Sequence, residues 1–262
     1  MKAHAIDFYR IKQIIRLFLD NCDNSPADKK AYYGEKFPDE VLPSYLYSQY
    51  SSFYQLYLDF RKWGIITKSR ISLGLDIGCG YGSLSLAFTN SKIKIIGIDV
   101  DYDFSKFAYH YINHLCKKPN IVNATSNFLP FRENSFDFAV SSATFEHDPH
   151  PNFTFREVFR VLKPGGKFYI LTPNKYDLRA LIFKSDKDSS IKFRVKNLFK
   201  KLRKDYNFPY VYQLASLGLL KRKLFDAGFD HYEFIKYKRI KSEFIVYFLR
   251  RYVGNIEIIA IK

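Results

Sequence analysis

Three glycines and two carboxylates carry the densest chemical information in the chain. Leu73-Gly74-Leu75-Asp76-Ile77-Gly78-Cys79-Gly80-Tyr81-Gly82-Ser83 reads as a strand and a glycine-rich turn opening a helix. Ile95-Ile96-Gly97-Ile98-Asp99 reads as a second strand that ends on an acid. Glycine has no Cβ, so backbone at such a turn can come close to a ligand. An acid about 20 residues further on is placed to accept hydrogen bonds from ribose hydroxyls. The spacing is G-x-G-x-G, and Ser83 stands where a dinucleotide fingerprint needs its third glycine. Asp76, two residues before Gly78, would repel a pyrophosphate docked on a helix N-terminus. It would attract a cation. Ser83 and Asp76 therefore disfavour a nicotinamide-dependent oxidoreductase and favour a ribose-bearing ligand of positive charge.

S-adenosylmethionine has that chemistry: a sulfonium, an ammonium and no phosphate. The stretch closely resembles motif I of class I S-adenosylmethionine-dependent methyltransferases. Further segments, in the same order, look like those of the type 11 and type 12 small-molecule methyltransferases. They are Leu129-Pro130-Phe131-Arg132-Glu133-Asn134-Ser135-Phe136-Asp137, the pair Glu146-His147 after Phe145, Glu157 to Gly166, and Leu171-Thr172-Pro173-Asn174. Ala227-Gly228-Phe229 is similar to their usual entry to a sixth strand. The resemblance covers about 72–175 firmly, 213–262 more loosely and 1–70 not at all.

The resemblance implies a set of roles. Asp76 and the backbone of Gly78, Cys79, Gly80, Tyr81 and Gly82 would hold the methionine end, Asp99 the ribose, and Val100 the adenine face. Family members place an acid shortly before Leu-Pro-Phe to reach the adenine amino group. Here that position is Thr125, so hydroxyl or backbone groups at Ser126 and Asn127 are the candidates, with Ser142 a further cofactor contact. The sulfonium is already an activated leaving group, so the protein mainly aligns the acceptor, an effect that can supply ~7–11 kcal/mol. Where the acceptor must lose a proton, His147 is the candidate general base, because an imidazole titrating near ~6.5 takes a proton at neutral pH. His150 is the second candidate.

Several acceptors can be argued down. Enzymes acting on exocyclic amines of bases, or on glutamine amides, carry Asn/Asp-Pro-Pro-aromatic after the fourth strand, where this chain has Ser142-Ala143-Thr144-Phe145. The cytosine-C5 type needs a Pro-Cys nucleophile, and the chain has no such pair. Nucleic acid thus rests on the net charge of +16 alone, which an abundance of lysine also explains. The expected acceptor is a small molecule, glycan or lipid-linked intermediate, anionic in one variant, with O-methylation favoured. The alternatives are a non-catalytic S-adenosylmethionine-binding protein of the same fold and an RNA methyltransferase.

The elements that position these residues follow from periodicity. Strands are expected at 73–77, 94–99, 120–125, 136–141, 167–172, 230–238 and 255–261, alternating with helices at 82–89, after Asp99, around Phe155–Leu162, and at Leu217–Leu224 before Gly228. Lys163-Pro164-Gly165-Gly166 is expected to end the helix before the fifth strand. The fold class is α/β, a doubly wound, mostly parallel seven-stranded sheet. Residues 1–70, with helices near 4–20 and 44–62, form an N-terminal helical cap on a domain over 71–262. A basic helical insertion at about 175–212 is a candidate contact for an anionic acceptor or a membrane surface. Cys22, Cys79 and Cys116 show no metal-ligand spacing and suggest reduced thiols in a cytoplasmic protein. No metal is expected.

Overall fold

In the computed structural model the described residues are 42–66, 72–89, 93–116, 119–175, 215–235 and 255–262. The helix expected near 4–20 and, apart from Lys175, the basic insertion lie outside them. In chain order the elements are α1 (Leu42–Lys62), β1 (Leu73–Ile77), α2 (Ser83–Thr89), β2 (Lys94–Asp99), α3 (Tyr102–Cys116), β3 (Ile121–Asn123), β4 (Phe136–Ser142), α4 (Pro151–Val161), β5 (Leu162–Thr172), α5 (Leu217–Ala227), β6 (His231–Phe234) and β7 (Ile256–Ile261). The strands hydrogen-bond in the order β3-β2-β1-β4-β5-β7-β6. β1 pairs parallel with β2, setting Asp76 opposite Gly97, and β2 pairs parallel with β3, setting Asp99 opposite Asn123. β6 and β7 are antiparallel. This is the doubly wound, mostly parallel seven-stranded sheet that the alternation of patterns predicts.

The chain divides into two compact units, the first drawn from Met1–Val140 and Arg160–Lys167. Its core is built from strand residues Leu75, Ile77, Ile95, Ile98 and Phe138, with Phe88 of α2 and Tyr111 and Ile112 of α3, all buried. A strand covered on both faces reads as an unbroken apolar run, and Phe138-Ala139-Val140 of β4, all three fully buried, does so. The helix α1 belongs to this core. Its Phe60 is fully buried and meets Phe88 and Phe138 edge-on at centroid distances of 5.7 Å, while Tyr57 meets Phe88 at 5.5 Å. Gly74 makes room for the same ring, because a Cβ there would lie 2.3 Å from Phe138 Cζ.

One expectation needs correcting here. Lys163-Pro164-Gly165-Gly166 does not precede the fifth strand; it lies inside β5, which begins at Leu162. The N–H groups of Asn134 and Ser135 donate to the carbonyls of Arg160 and Val161 at 3.0 and 2.8 Å. Lys163 Nζ meets Asp137 Oδ1 at 2.9 Å. These ties dock the segment as soon as α4 ends, and Gly165, at φ 75°, absorbs the turn within the strand.

The second unit is drawn from Ser141–Phe159 and Phe168–Lys262. Phe168 meets Phe155 edge-on at 5.6 Å and the tilted ring of Phe229 at 5.9 Å between centroids, and Leu220 and Leu224 of α5 are fully buried. Ser216 caps α5 by accepting the Leu219 N–H at 3.3 Å, and Gly228 ends it at φ 107°.

Candidate active site

The turn between β1 and α2 places Gly78, Gly80 and Gly82 at φ 67°, 50° and 77°, a region other residues enter only with strain. Two of the glycines have distinct second reasons. A Cβ on Gly82 would lie 2.9 Å from Ile112 Cδ1, so its absence lets α3 pack against the turn. At Gly80 nothing lies within 4 Å of where a Cβ would stand. That face of the turn is open.

The two carboxylates are set around this turn differently. Asp99, at the end of β2, accepts the Gly80 N–H on Oδ2 at 2.8 Å and the Asp101 N–H on Oδ1 at 3.0 Å. Burial pushes its carboxyl above the usual range, and those two N–H groups oppose the rise. Asp76 is only 3% exposed and accepts the Ser85 hydroxyl at 2.8 Å. Burial pushes Asp76 up to about 7, with Ser85 opposing and the charge of Asp99 adding to the rise. Among the described residues no basic side chain meets either acid. The Cys79 thiol is buried and pushed well up by desolvation, then by Asp76 and Asp99, which removes it as a nucleophile.

Neighbouring groups hold the rest of the turn. Gly97 leaves room for Ser85, whose Oγ would sit 2.8 Å from a Cβ there. Asp101 Oδ1 accepts the N–H groups of Asp103 and Phe104 at 2.8 and 3.1 Å, capping α3. Asn123 Nδ2 donates to the carbonyls of Asp99 and Val100 at 2.9 and 3.0 Å, which fixes the backbone under a Val100 side chain that is 73% exposed. Ala124 donates its N–H to Asp99 O at 3.0 Å. Ser126 and Asn127 follow directly, both half-buried, with the Asn127 N–H on Thr125 Oγ1 at 3.3 Å. Asp76, Gly78–Gly82, Asp99, Val100, Ser126 and Asn127 all belong to the first unit.

Ser142 and His147 belong to the second unit. Ser142 is half-buried and its carbonyl accepts the Thr144 hydroxyl at 3.3 Å. Ala143 follows at φ 54° and donates its N–H to Leu171 O at 2.8 Å. Phe145–His147 form one 3₁₀ turn, with His147 half-buried and its N–H on Thr144 O at 3.0 Å. Glu146 beside it is 4% exposed and accepts the Thr172 hydroxyl at 3.1 Å. Burial pushes the Glu146 carboxyl up, while the positive charge available to His147 and the Thr172 hydroxyl oppose. Asp148 accepts the Thr154 hydroxyl and, at 2.7 Å, the N–H of an exposed His150.

Four of these partners receive no role from the motifs: Ser85 and Asp101, which lie outside them, and Gly97 and Thr172, which lie inside them. Asp101 has the signature of a helix cap, an acid immediately before α3 and three residues before Phe104 opens its apolar periodicity. Ser85 is an ordinary small polar residue inside a helix with no local pattern to mark it, and the segment that holds Thr172 does not single out its hydroxyl.

The arrangement fits a ribose-bearing cation. Two acids without a basic counterpart among the described residues border an open stretch of glycine backbone, and an exposed valine stands beside them. Residues 75–170 match the family model described as a methyltransferase domain. The chain is 42% identical over 59 residues to the ubiquinone/menaquinone biosynthesis C-methyltransferase UbiE of Bartonella quintana, covering 22% of this chain and 23% of that protein. It is 37% identical over 75 residues to the sterol 4-C-methyltransferase strm-1 of Caenorhabditis elegans, covering 28% and 22% of the two chains. The chain thus spans about a quarter of the length of the curated relatives it matches. Among solved structures, the YcgJ protein of Bacillus subtilis superposes with a TM-score of 0.52 at 19% identity over 73% of this chain and 92% of that one. An S-adenosylmethionine-dependent methyltransferase of Archaeoglobus fulgidus does so with a TM-score of 0.52 at 22% identity over 80% and 94%. At those identities the structural likeness establishes the fold.

Proposed function

We propose that this chain, which belongs to the class I S-adenosylmethionine-dependent methyltransferases and has S-adenosylmethionine as its methyl donor, transfers the methyl group to a small-molecule acceptor. The observation that carries the reading is the pairing of the open Gly80 backbone with Asp99, whose carboxylate already holds the Gly80 N–H. When bound, the cofactor supplies a methyl group on a sulfonium, a leaving group that needs no further activation. The chain's own residues bind and align. Asp76 supplies negative charge beneath the methionine end, the backbone from Gly78 to Gly82 lines it, and Asp99 keeps lone pairs for the ribose hydroxyls. Val100 offers an apolar surface to the adenine, with Ser126 and Asn127 as polar groups of the same unit, and the family resemblance adds Ser142 as a further cofactor contact. His147 takes the acceptor proton where the acceptor has one to lose.

Oxygen is the acceptor atom to test first, as the sequence favours it. Carbon is the second reading, because both curated relatives carry C-methyltransferase in their names. The segments they share with this chain are short, so their acceptors are not carried over with the fold. A small-molecule, glycan or lipid-linked acceptor is tested by incubating the protein with methyl-labelled S-adenosylmethionine and cell extract. Label in an organic-extractable or small-molecule fraction supports the proposal. Label confined to RNA or protein sinks it, and equal binding of NADH would sink the choice of cofactor. No described helix is long and apolar enough to cross a membrane. Peripheral contact through the basic insertion is tested by sedimentation with anionic vesicles.

A further inference from the structure

Only two residues of the Gly78–Gly82 turn carry side chains. Cys79 is buried, whereas Tyr81 is half-buried and surrounded by rings. Phe104 and Phe107 of α3 approach it edge-on at 4.9 and 5.0 Å between centroids. The third ring comes from far earlier in the chain: Tyr45 of α1, at 6.5 Å and an interplanar angle of 80°. These are the separations and angles at which aromatic pairs attract beyond their buried area. Tyr45 is itself fixed. Gln49, one helical turn on, donates from Nε2 to its hydroxyl oxygen at 2.6 Å. The buried Leu46 and Phe60 anchor the helix that carries both residues.

A turn with three glycines has many accessible backbone conformations, and each must be given up when its backbone lines a ligand. A ring held on three sides removes that freedom beforehand, which lowers the ordering cost of binding. We propose that Tyr45 is a positioning residue of the cofactor turn, acting through Tyr81 to hold the Gly80–Gly82 backbone in its ligand-ready form. The helix α1 is then part of the cofactor site as well as part of the core. This proposal rests on the reading of the turn as the S-adenosylmethionine site.

Calorimetry with S-adenosylmethionine on the full chain tests it, using Tyr45→Leu, Tyr45→Phe, Tyr81→Leu and the Tyr45→Leu/Tyr81→Leu pair. Tyr45→Leu keeps bulk and removes the ring, and should weaken binding about three- to tenfold. Tyr45→Phe keeps the ring and should bind within about twofold of the unaltered protein. In the Tyr81→Leu background, Tyr45→Leu should have no further effect, since the coupling it reports is already gone. Amide exchange at Gly80–Ser83 should quicken in Tyr45→Leu and not in Tyr45→Phe. A role in folding alone would lower the melting temperature of Tyr45→Leu while leaving its affinity and these amides unchanged, and that result overturns the proposal. So do additive effects in the double variant. Failure of the unaltered protein to bind S-adenosylmethionine would overturn the cofactor reading and this inference with it, whereas unaltered binding in Tyr45→Leu overturns this inference alone.

Discussion

Two clusters of acids lie near or beyond strand ends in this chain, and their partners differ. In the first unit, among the described residues, Asp99 is met only by backbone N–H groups and Asp76 only by Ser85, with open glycine backbone alongside. In the second unit, the Glu146 carboxylate is taken by Thr172, and Asp148 by Thr154 and the His150 N–H. Side-chain hydroxyls consume the second pair and so tie loop to strand and loop to helix. The first pair is oriented and left with capacity to spare. Buried acids become a ligand site when the scaffold aims them without fully satisfying them, and a scaffold when it does satisfy them.

The largest test of this contrast is Asp99→Ala. On the proposed reading, in which Asp99 accepts from the ribose hydroxyls, its removal should weaken S-adenosylmethionine binding by about 1.5–3 kcal/mol in calorimetry. Glu146→Gln, which keeps an oxygen for Thr172, should leave that affinity within about twofold. If the two variants weaken binding equally, the contrast between the clusters fails.

Next comes pH. With its carboxyl pushed up to about 7, Asp76 in the ligand-free protein is neutral below that value and anionic above it. Attraction for a cation is therefore present above about 7 and lost as pH falls through it. Affinity for S-adenosylmethionine should drop about tenfold from pH 8 to pH 6, and Asp76→Asn should flatten the profile. The same raised value means that the empty protein loses stability as pH climbs from the ordinary carboxyl value of 3.8 towards 7, so denaturation midpoints and affinity should move in opposite directions.

Thr172→Val should have a smaller effect, on stability alone. It strips a buried carboxyl of its hydroxyl donor and should lower unfolding free energy by about 1 kcal/mol in urea titrations, with cofactor affinity unchanged. The smallest effect belongs to Ala143→Gly. Relief of the left-handed conformation at φ 54° outweighs the added chain entropy slightly, for a gain of about 0.5 kcal/mol.

Most of the first unit was legible in the sequence because its signals are local. The runs 73–77 and 94–99 are largely apolar, carry Asp76 and Asp99 at or next to their ends and coincide with β1 and β2. The glycine turn between them declares its own conformation. What escaped notice depended on contacts between distant segments. The Lys163–Gly166 stretch looks like a turn because proline and glycine break helices, but Asp137 and the backbone after Phe131 recruit it into a strand. Ser85 matters only because Gly97, on another strand, leaves it room beside Asp76. Tyr57 and Phe60, among the aromatics of α1, pack against Phe88 in the core. Nothing in the spacing of Tyr45 sets it apart from them; its ring partner is 36 residues away in sequence.

The Phe60–Phe138–Gly74 contact has a practical consequence for anyone trimming this protein. A fragment cut just before β1 would look like a tidy expression boundary, since the family match begins at residue 75. It would strip Phe60 from Phe88 and Phe138 and leave two large rings facing water, beside a glycine-bearing strand that cannot refill the gap. Such a fragment should aggregate or melt early, while one beginning before Leu42 should stay monodisperse. The useful cloning boundary is set by where the rings end, upstream of the recognisable motif.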